Sequence, residues 1–128
     1  MKKINLTLII VFFLLTIGFS CAESIKEYSD PSVTINARVQ EKFIISLQSN
    51  PSTGYSWQLA SPVDEKIVKL IDSQYVAKKT KMVGAGGKEL WTFETQAMGK
   101  AEISLEYVRP WEKDVPAARQ EVFTVLVD

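Results

Sequence analysis

Apolar residues recur at every second position in several short runs of this chain, and that period is the strongest constraint on its fold. A period of two places alternate side chains on one face of an extended strand, whereas a helix needs a period near 3.6. The runs share an apolar face at Val33, Ile35, Ala37 and Val39; at Phe43, Ile45 and Leu47; at Tyr55, Trp57 and Leu59; at Trp91 and Phe93; at Ala101, Ile103, Leu105 and Tyr107; and at Phe123, Val125 and Val127. The pattern predicts an all-β protein.

Turn-forming residues separate these runs at short intervals. They are the segments 50–54, 61–62, 84–87 and 98–99, and Pro116. From Ser61 to Ile71 the spacing is ambiguous, and we expect a short helical turn that leads into a strand over Val68 to Val76. Residues 32–128 are then predicted to form one antiparallel β-sandwich of seven to eight strands.

Residues 1–22 have the pattern of an export signal. Two lysines near the start precede an apolar run over 8–15, and small residues follow at Ser20 and Ala22. The apolar segment is too short, and polar sequence follows it too soon, for a membrane-spanning helix. This segment is therefore expected to lie outside the folded domain.

Two processing outcomes remain open for the export segment. Cleavage after Ala22 would release a soluble protein, whereas Gly18 to Cys21 resembles a bacterial lipobox in which Cys21 is lipidated. Gly18 stands where such a motif usually has leucine. Residues 23–31 are expected to form a tether. We therefore expect an exported protein, periplasmic, lipid-anchored or extracellular, that meets a membrane only through an anchor at Cys21.

The composition removes most catalytic chemistry. With no histidine and one cysteine, the chain has no histidine-based triad, no Cys/His nucleophile pair and no internal disulfide, and a His- or Cys-ligated zinc site is not expected. Fifteen basic and fifteen acidic residues give a net charge of zero, which offers no basic footprint for nucleic acid. The remaining carboxylate pairs, such as Glu102 and Glu106, are typical of solvated strand edges. We expect no enzymatic activity, metal, cofactor or nucleic-acid partner.

The first of three informative loops contains Asn50, Pro51, Ser52, Thr53, Gly54 and Tyr55. Pro51 fixes its own φ and Gly54 permits a positive φ, so a stiff turn with Ser52 and Thr53 at its tip is expected. An ordinary strand connection with common turn chemistry has the same composition. The composition alone therefore leaves its role open.

The second loop is rich in glycine and contains Met82, Val83, Gly84, Ala85, Gly86 and Gly87. It does not fit the phosphate-binding pattern, because Met82 stands in place of the first glycine and Glu89 follows Lys88 where Ser or Thr is required. The dinucleotide pattern also fails, since Glu89 replaces its third glycine. Two interpretations remain: a segment whose backbone approaches another chain closely, or a plain mobile hairpin.

The third loop follows the run that ends at Tyr107 and contains Arg109, Pro110 and Trp111. A tryptophan beside proline in a charged loop favours exposure, and tryptophan and arginine are enriched in binding hot spots. A tryptophan folded back over the end of the sandwich is the alternative.

In order and spacing, the three loops resemble those of the chagasin family of cysteine-peptidase inhibitors. That family carries Asn-Pro-Thr-Thr-Gly-aromatic, Gly-x-Gly-Gly and Arg-Pro-Trp loops on an immunoglobulin-like sandwich, and the resemblance spans Val33 to Asp128. Ser52 stands where the family often has threonine, which keeps the hydroxyl and removes a methyl. The resemblance implies a monomer that is a reversible, tight-binding, competitive inhibitor of papain-like cysteine peptidases.

The resemblance also implies a task for each loop in the peptidase cleft. Ser52 and Thr53 would lie over the catalytic cysteine, and residues 82–86 would run along the non-primed side. Trp111 would stack on the primed side, in a loop held by Arg109 and Pro110.

Three further aromatic residues, Tyr55, Trp57 and Trp91, are expected in the core or as support for the loops. The alternative function is an exported immunoglobulin-like module that binds carbohydrate or a surface protein without inhibiting a peptidase. Inhibition of a papain-like enzyme by the purified domain distinguishes the two.

Overall fold

A computed structural model describes residues 24–128, which form eight strands and one 3₁₀ turn. The strands are β1 Lys26–Tyr28, β2 Ile35–Ala37, β3 Lys42–Ser49, β4 Ser56–Leu59, β5 Val68–Ala77, β6 Gly87–Thr95, β7 Gly99–Val108 and β8 Arg119–Val127, and the 3₁₀ turn is Pro51–Thr53. No helix long and apolar enough to cross a membrane occurs in this range. The predicted export signal and the lipobox at Cys21 lie outside the described residues.

Two four-stranded sheets pack face to face, with strand orders β1-β3-β6-β5 and β2-β8-β7-β4. The neighbours in the centre of each sheet are antiparallel. Two outer pairs are parallel, β1 with β3 and β2 with β8. The prediction of an all-β, immunoglobulin-like sandwich of seven to eight strands is confirmed, with these two pairs as departures from antiparallel order.

The core between the sheets consists of the alternating apolar positions. Side chains without solvent exposure come from both sheets, and they include Ile35, Ile45, Phe93, Ile103, Leu105 and Phe123. The rings of Phe43 and Phe93 stack with their centroids 5.6 Å apart. Full burial of one such side chain contributes about 1.5–3 kcal/mol. Burial of the alternating apolar side chains is therefore the main contribution to the stability of the fold.

The first predicted strand is shorter than expected. Strand β2 contains only Ile35–Ala37, because the chain turns before and after it. Val33 and Val39 are consequently 48% and 40% exposed, and their predicted place on a buried face is wrong.

The segment before β5 also differs from its prediction. The strand expected over Val68 to Val76 is confirmed as β5. The residues before it form a hydrogen-bonded turn rather than a helix, in which the Asp64 carbonyl accepts from the N–H groups of Ile67 and Val68. The backbone N–H of Gln96 then donates to the Ile67 carbonyl, which ties this turn to the end of β6.

The predicted tether contains a strand, so that prediction is wrong for its central residues. Strand β1 pairs with β3, and the Tyr28 ring packs edge-on against Phe43 at 6.3 Å. The Lys88 ammonium lies 3.0 Å from the Glu27 carboxylate, and this hydrogen bond lowers the pKa of Glu27. The segment is thus fixed to the sheet by an aromatic contact and an ion pair.

Three connections meet at one end of the sandwich. Ser49, Gly87 and Ala77 lie level across β3, β6 and β5, while Ser56 lies level with Val108 across β4 and β7. We call this end the loop pole, and we call residues 50–55, 78–86 and 109–118 loops 1, 2 and 3. Because β1 runs parallel to β3, the chain enters β1 at the opposite end.

Candidate functional site

Loop 1 is a 3₁₀ turn capped at both ends. The Asn50 side-chain oxygen accepts hydrogen bonds from the Ser52 N–H, at 3.2 Å, and from the Ser52 hydroxyl. Gly54 closes the turn with φ +84°, and its N–H donates to the Pro51 carbonyl at 3.0 Å. The Thr53 hydroxyl donates to the Asn50 carbonyl. The stiff turn predicted from Pro51 and Gly54 is confirmed, with Ser52 and Thr53 exposed at its tip.

Asn50 also connects loop 1 to loop 2. Its side-chain amide donates to the Gly84 carbonyl at 2.9 Å, across 34 positions of sequence. Its backbone N–H donates to the Tyr107 hydroxyl at 2.9 Å. One side chain therefore shapes the first loop, fixes the second loop beside it, and is itself held by the end of β7.

Loop 2 presents an apolar tip on a glycine-rich backbone. Met82 and Val83 are exposed, and Gly84 and Gly86 have φ of +77° and +74°. Gly87, predicted in the loop, is instead the buried first residue of β6. A Cβ on Gly87 would overlap the carbonyl oxygen of Val76, so glycine permits the close approach of β5 and β6.

Loop 3 places Trp111 over loop 1. The indole lies so close to Gly54 that a Cβ there would overlap Cη2 of Trp111 and lie 3.0 Å from its Cζ2. Trp111 nevertheless stays 67% exposed. The tryptophan thus rests on the first loop and offers most of its surface to solvent, as its position beside Pro110 predicts.

Arg109 connects loop 3 to loop 1 through its guanidinium group. Its Nε donates to the Thr53 carbonyl at 3.1 Å, and its Nη1 lies 3.1 Å from the Glu112 carboxylate. The guanidinium also lies over the Tyr55 ring, with Cζ 4.4 Å from the ring centroid. These contacts fix the planar group on three sides, a geometry that suits arginine better than lysine.

A layer of aromatic residues supports the loop pole. Tyr55 is half-buried and stacks on Tyr107 with centroids 5.2 Å apart, so it lies beneath the exposed tips of the loops. Trp57 is buried against Tyr107, and its indole N–H donates to the Gln48 carbonyl at 2.9 Å. Trp91 is buried too. The predicted placement of these aromatic side chains in the core or as loop support is confirmed.

Two carboxylates at this end were not predicted to have a role. Glu89 accepts a hydrogen bond from the Trp57 backbone N–H at 3.1 Å, and Glu112 holds Arg109. Sequence spacing gives no signal for Glu89, because its partner lies 32 positions away. Glu112 carried a weak signal, since it stands three residues after an arginine in a turn.

The site therefore offers three exposed loop tips, each fastened to a neighbour. Among residues 24–128, no cluster of three or more His, Cys, Asp or Glu side chains is arranged to hold a metal ion. Braced, exposed loops at one end of an immunoglobulin-like sandwich are the arrangement by which proteins of this class present binding surfaces.

The comparisons with known proteins identify the family. A family model described as the chagasin family of peptidase inhibitors, I42, matches residues 36–127. The chain belongs to this family, which confirms the resemblance seen in the three loop motifs. Chagasin of Trypanosoma cruzi is 33% identical to this chain over 95 residues, which cover 72% of this chain and 84% of chagasin. The expectation that the chain is not an enzyme agrees with a family of inhibitors.

Two solved structures share the fold. The cysteine protease inhibitor EhICP2 from Entamoeba histolytica superposes with a TM-score of 0.67 at 22% identity, over 83% of this chain and 99% of EhICP2. PbICP-C, solved in complex with falcipain-2, superposes with a TM-score of 0.60 at 16% identity, over 82% of this chain and 100% of PbICP-C. Both agree with the two-sheet architecture described above.

Proposed function

We propose that this protein is a reversible, tight-binding, competitive inhibitor of papain-like cysteine peptidases that occludes the active-site cleft with its three loops. The observation that carries the proposal is the mutual bracing of the three family motifs at one pole. Asn50 bonds to Gly84, Arg109 bonds to Thr53, and Trp111 lies against Gly54. Membership of the chagasin family of peptidase inhibitors supports inhibition of a peptidase as the result of binding.

The bracing explains how such an inhibitor gains affinity. Binding normally costs free energy for ordering loops and side chains at the interface. Here the hydrogen bonds of loop 1 and the Arg109 contacts already hold the loops in one arrangement. A standard interface buries on the order of 800 Å² per partner, and stiff loops retain more of the free energy gained from that burial.

The turn at the tip of loop 1 explains how the inhibitor resists cleavage. The Asn50 carbonyl accepts from the Thr53 N–H, and the Pro51 carbonyl accepts from the Gly54 N–H, so both point into the turn. The Thr53 carbonyl is held by Arg109. These three carbonyls are engaged within the protein, so a folded tip of this kind can exclude water and substrate from the catalytic cysteine while they stay turned away from it.

The other loops fit complementary tasks in the cleft. Residues 82–86 supply backbone donors and acceptors along the non-primed side, with Met82 and Val83 as apolar contacts. Trp111 is an exposed aromatic anchor for the primed side, the type of residue that dominates binding energy at interfaces.

The test is a titration of the protein from Glu23 onward against active-site-calibrated papain. We expect competitive, reversible loss of activity while the inhibitor stays intact on a gel. If neither papain nor several related enzymes lose activity, the proposal is wrong. A non-inhibitory module that binds carbohydrate or a surface protein would then be the better interpretation.

We also propose that residues 1–22 direct export, and that the mature protein is a monomer. The export proposal is supported by the apolar run and by the small residues at Ser20 and Ala22. Mass spectrometry of the mature N-terminus separates cleavage after Ala22 from lipidation at Cys21. Light scattering of the soluble domain tests the monomer, and a stable dimer would contradict it.

A further inference from the structure

Three lysines stand together at the start of loop 2. Lys78, Lys79 and Lys81, which we call the basic stem, are all exposed and immediately precede the apolar tip. The Lys78 N–H donates to the Gly86 carbonyl at 3.0 Å, so the beginning and the end of the loop are joined at this point. The stem is therefore held at the base of a loop that the proposed function places in the peptidase cleft.

The positive charge of the basic stem is not neutralised by ion pairs. Within the part of the chain that the structure describes, the three ion pairs involve Lys88, Arg109 and Arg119. The stem places three positive charges within four consecutive positions of a chain whose net charge is zero, so it is a local concentration of charge. Because the Debye length is about 8 Å at physiological ionic strength, salt screens the interaction of the stem with acidic side chains at the far end of the sandwich, and these do not offset its charge.

Loop 3 differs from loop 2 in this respect. Its arginine, Arg109, is paired with Glu112 at 3.1 Å, and it continues with Lys113 and Asp114, whose formal charges cancel. The loop pole therefore has a positive side at loop 2 and a balanced side at loop 3. A partner that binds all three loops therefore meets a positive electrostatic potential on the loop 2 side and a nearly neutral one on the loop 3 side.

We propose that the basic stem determines which peptidases this inhibitor captures fastest, by attracting those with acidic side chains on the rim of the cleft that receives loop 2. This inference rests on the proposed function. Charges at the rim of an interface act mainly on the association rate and its salt dependence, whereas buried contacts govern dissociation. Local fields of this kind raise association rates about 10- to 1,000-fold when the partner has complementary charge.

The chain offers a matched control for the test. Lys42, Lys66 and Lys100 are also exposed and lie at the end of the sandwich opposite the loop pole. The variants K78Q/K79Q/K81Q and K42Q/K66Q/K100Q therefore remove the same charge from opposite ends. Two papain-like peptidases are used, one with an acidic and one with a neutral rim to the cleft, and stopped-flow fluorescence gives association and dissociation rates.

For the acidic-rim peptidase in about 0.01 M salt, we expect K78Q/K79Q/K81Q to associate roughly tenfold more slowly than the native protein, with the dissociation rate unchanged. The difference should vanish in about 1 M salt, where the Debye length is only about 3 Å. The control variant should associate like the native protein. With the neutral-rim peptidase, all three proteins should associate at similar rates.

Other results would overturn the inference. Equal slowing by both variants would make net charge, not the stem, the cause. Equal association rates for all three proteins with the acidic-rim enzyme would remove any role of the stem, as would a change confined to dissociation. A native protein that inhibits neither enzyme would instead refute the proposed function, and this inference with it.

Discussion

Replacing Gly54 by alanine tests whether loop 1 supports the tryptophan of loop 3. Gly54 has φ +84°, a left-handed conformation that costs a residue with a Cβ about 1–2 kcal/mol. The new Cβ would also overlap Cη2 of Trp111. Because Trp111 is 67% exposed, its ring can swing into solvent at little cost to folding. We therefore expect the free energy of unfolding to fall by about 1–2 kcal/mol.

The effect of Gly54→Ala on inhibition should be larger than its effect on stability. A displaced aromatic anchor forfeits about 2–4 kcal/mol of binding free energy. At 1.4 kcal/mol per factor of ten, this corresponds to an inhibition constant weakened roughly 30- to 700-fold. Thermal denaturation measures the first effect, with a shift in Tm of about 4–8 °C per kcal/mol for a domain of this size. Inhibition of papain measures the second.

Gly99→Ala is the matched control. Gly99 has φ +142°, and a Cβ there would lie 2.9 Å from Cδ1 of Ile67, at the end of the sandwich opposite the loop pole. We expect destabilisation with an unchanged inhibition constant. If Gly54→Ala lowers Tm but inhibits like the native protein, or if both variants lose inhibition equally, the reasoning about Trp111 is refuted.

Three further substitutions test separate parts of the structure. Trp111→Ala should weaken binding by about 2–4 kcal/mol without changing Tm, and an unchanged inhibition constant would contradict its role as an anchor. Glu112→Gln replaces the charged partner of Arg109, so the free energy of binding to the peptidase should weaken by about 0.2–1 kcal/mol, measured by the inhibition constant. A loss as large as that of Trp111→Ala would show that the pair does more than orient the loop. Glu27→Gln removes the ion pair with Lys88, and chemical denaturation at neutral pH should show a loss of at most about 1 kcal/mol. Since the pKa of Glu27 is lowered by folding, its contribution is present above the unfolded value near 4.5 and is lost as the pH falls through the folded value. The free energies of unfolding of the native protein and of Glu27→Gln should therefore converge in acid. A difference between them that grows in acid would contradict a lowered pKa of Glu27 in the folded protein.

The central part of the fold could be predicted because its signal is local. Alternation along β3, β7 and β8 marks which side chains are buried, and the structure buries Phe43, Ile103 and Phe123 as expected. The short outer strands could not be predicted in this way. Strand β1 has only three residues and pairs with a strand about 17 positions away, so no alternation within it marks it as a strand.

In the candidate site, too, local features could be predicted from the sequence and long-range contacts could not. The exposed groups were predictable, because turn chemistry at Pro51 and Gly54 and the position of Trp111 beside proline are visible in the sequence. The contacts that brace them were not. The Asn50–Gly84 hydrogen bond spans 34 positions and the Arg109–Thr53 hydrogen bond spans 56, so each depends on how the sheets bring the loops together.

The direction of β1 has a practical consequence for how the protein can be displayed. Lys26 lies level with Phe43, near the start of β3, and loop 1 follows Ser49 at the other end of that strand. At about 3.3 Å per residue, the two ends of this eight-residue strand are separated by roughly 25 Å. Whatever is joined ahead of residue 24, whether a surface, a bead or a second domain, is attached at the base of the sandwich. The loops then point away from the support, so an immobilised molecule should capture a peptidase from solution as readily as a free one.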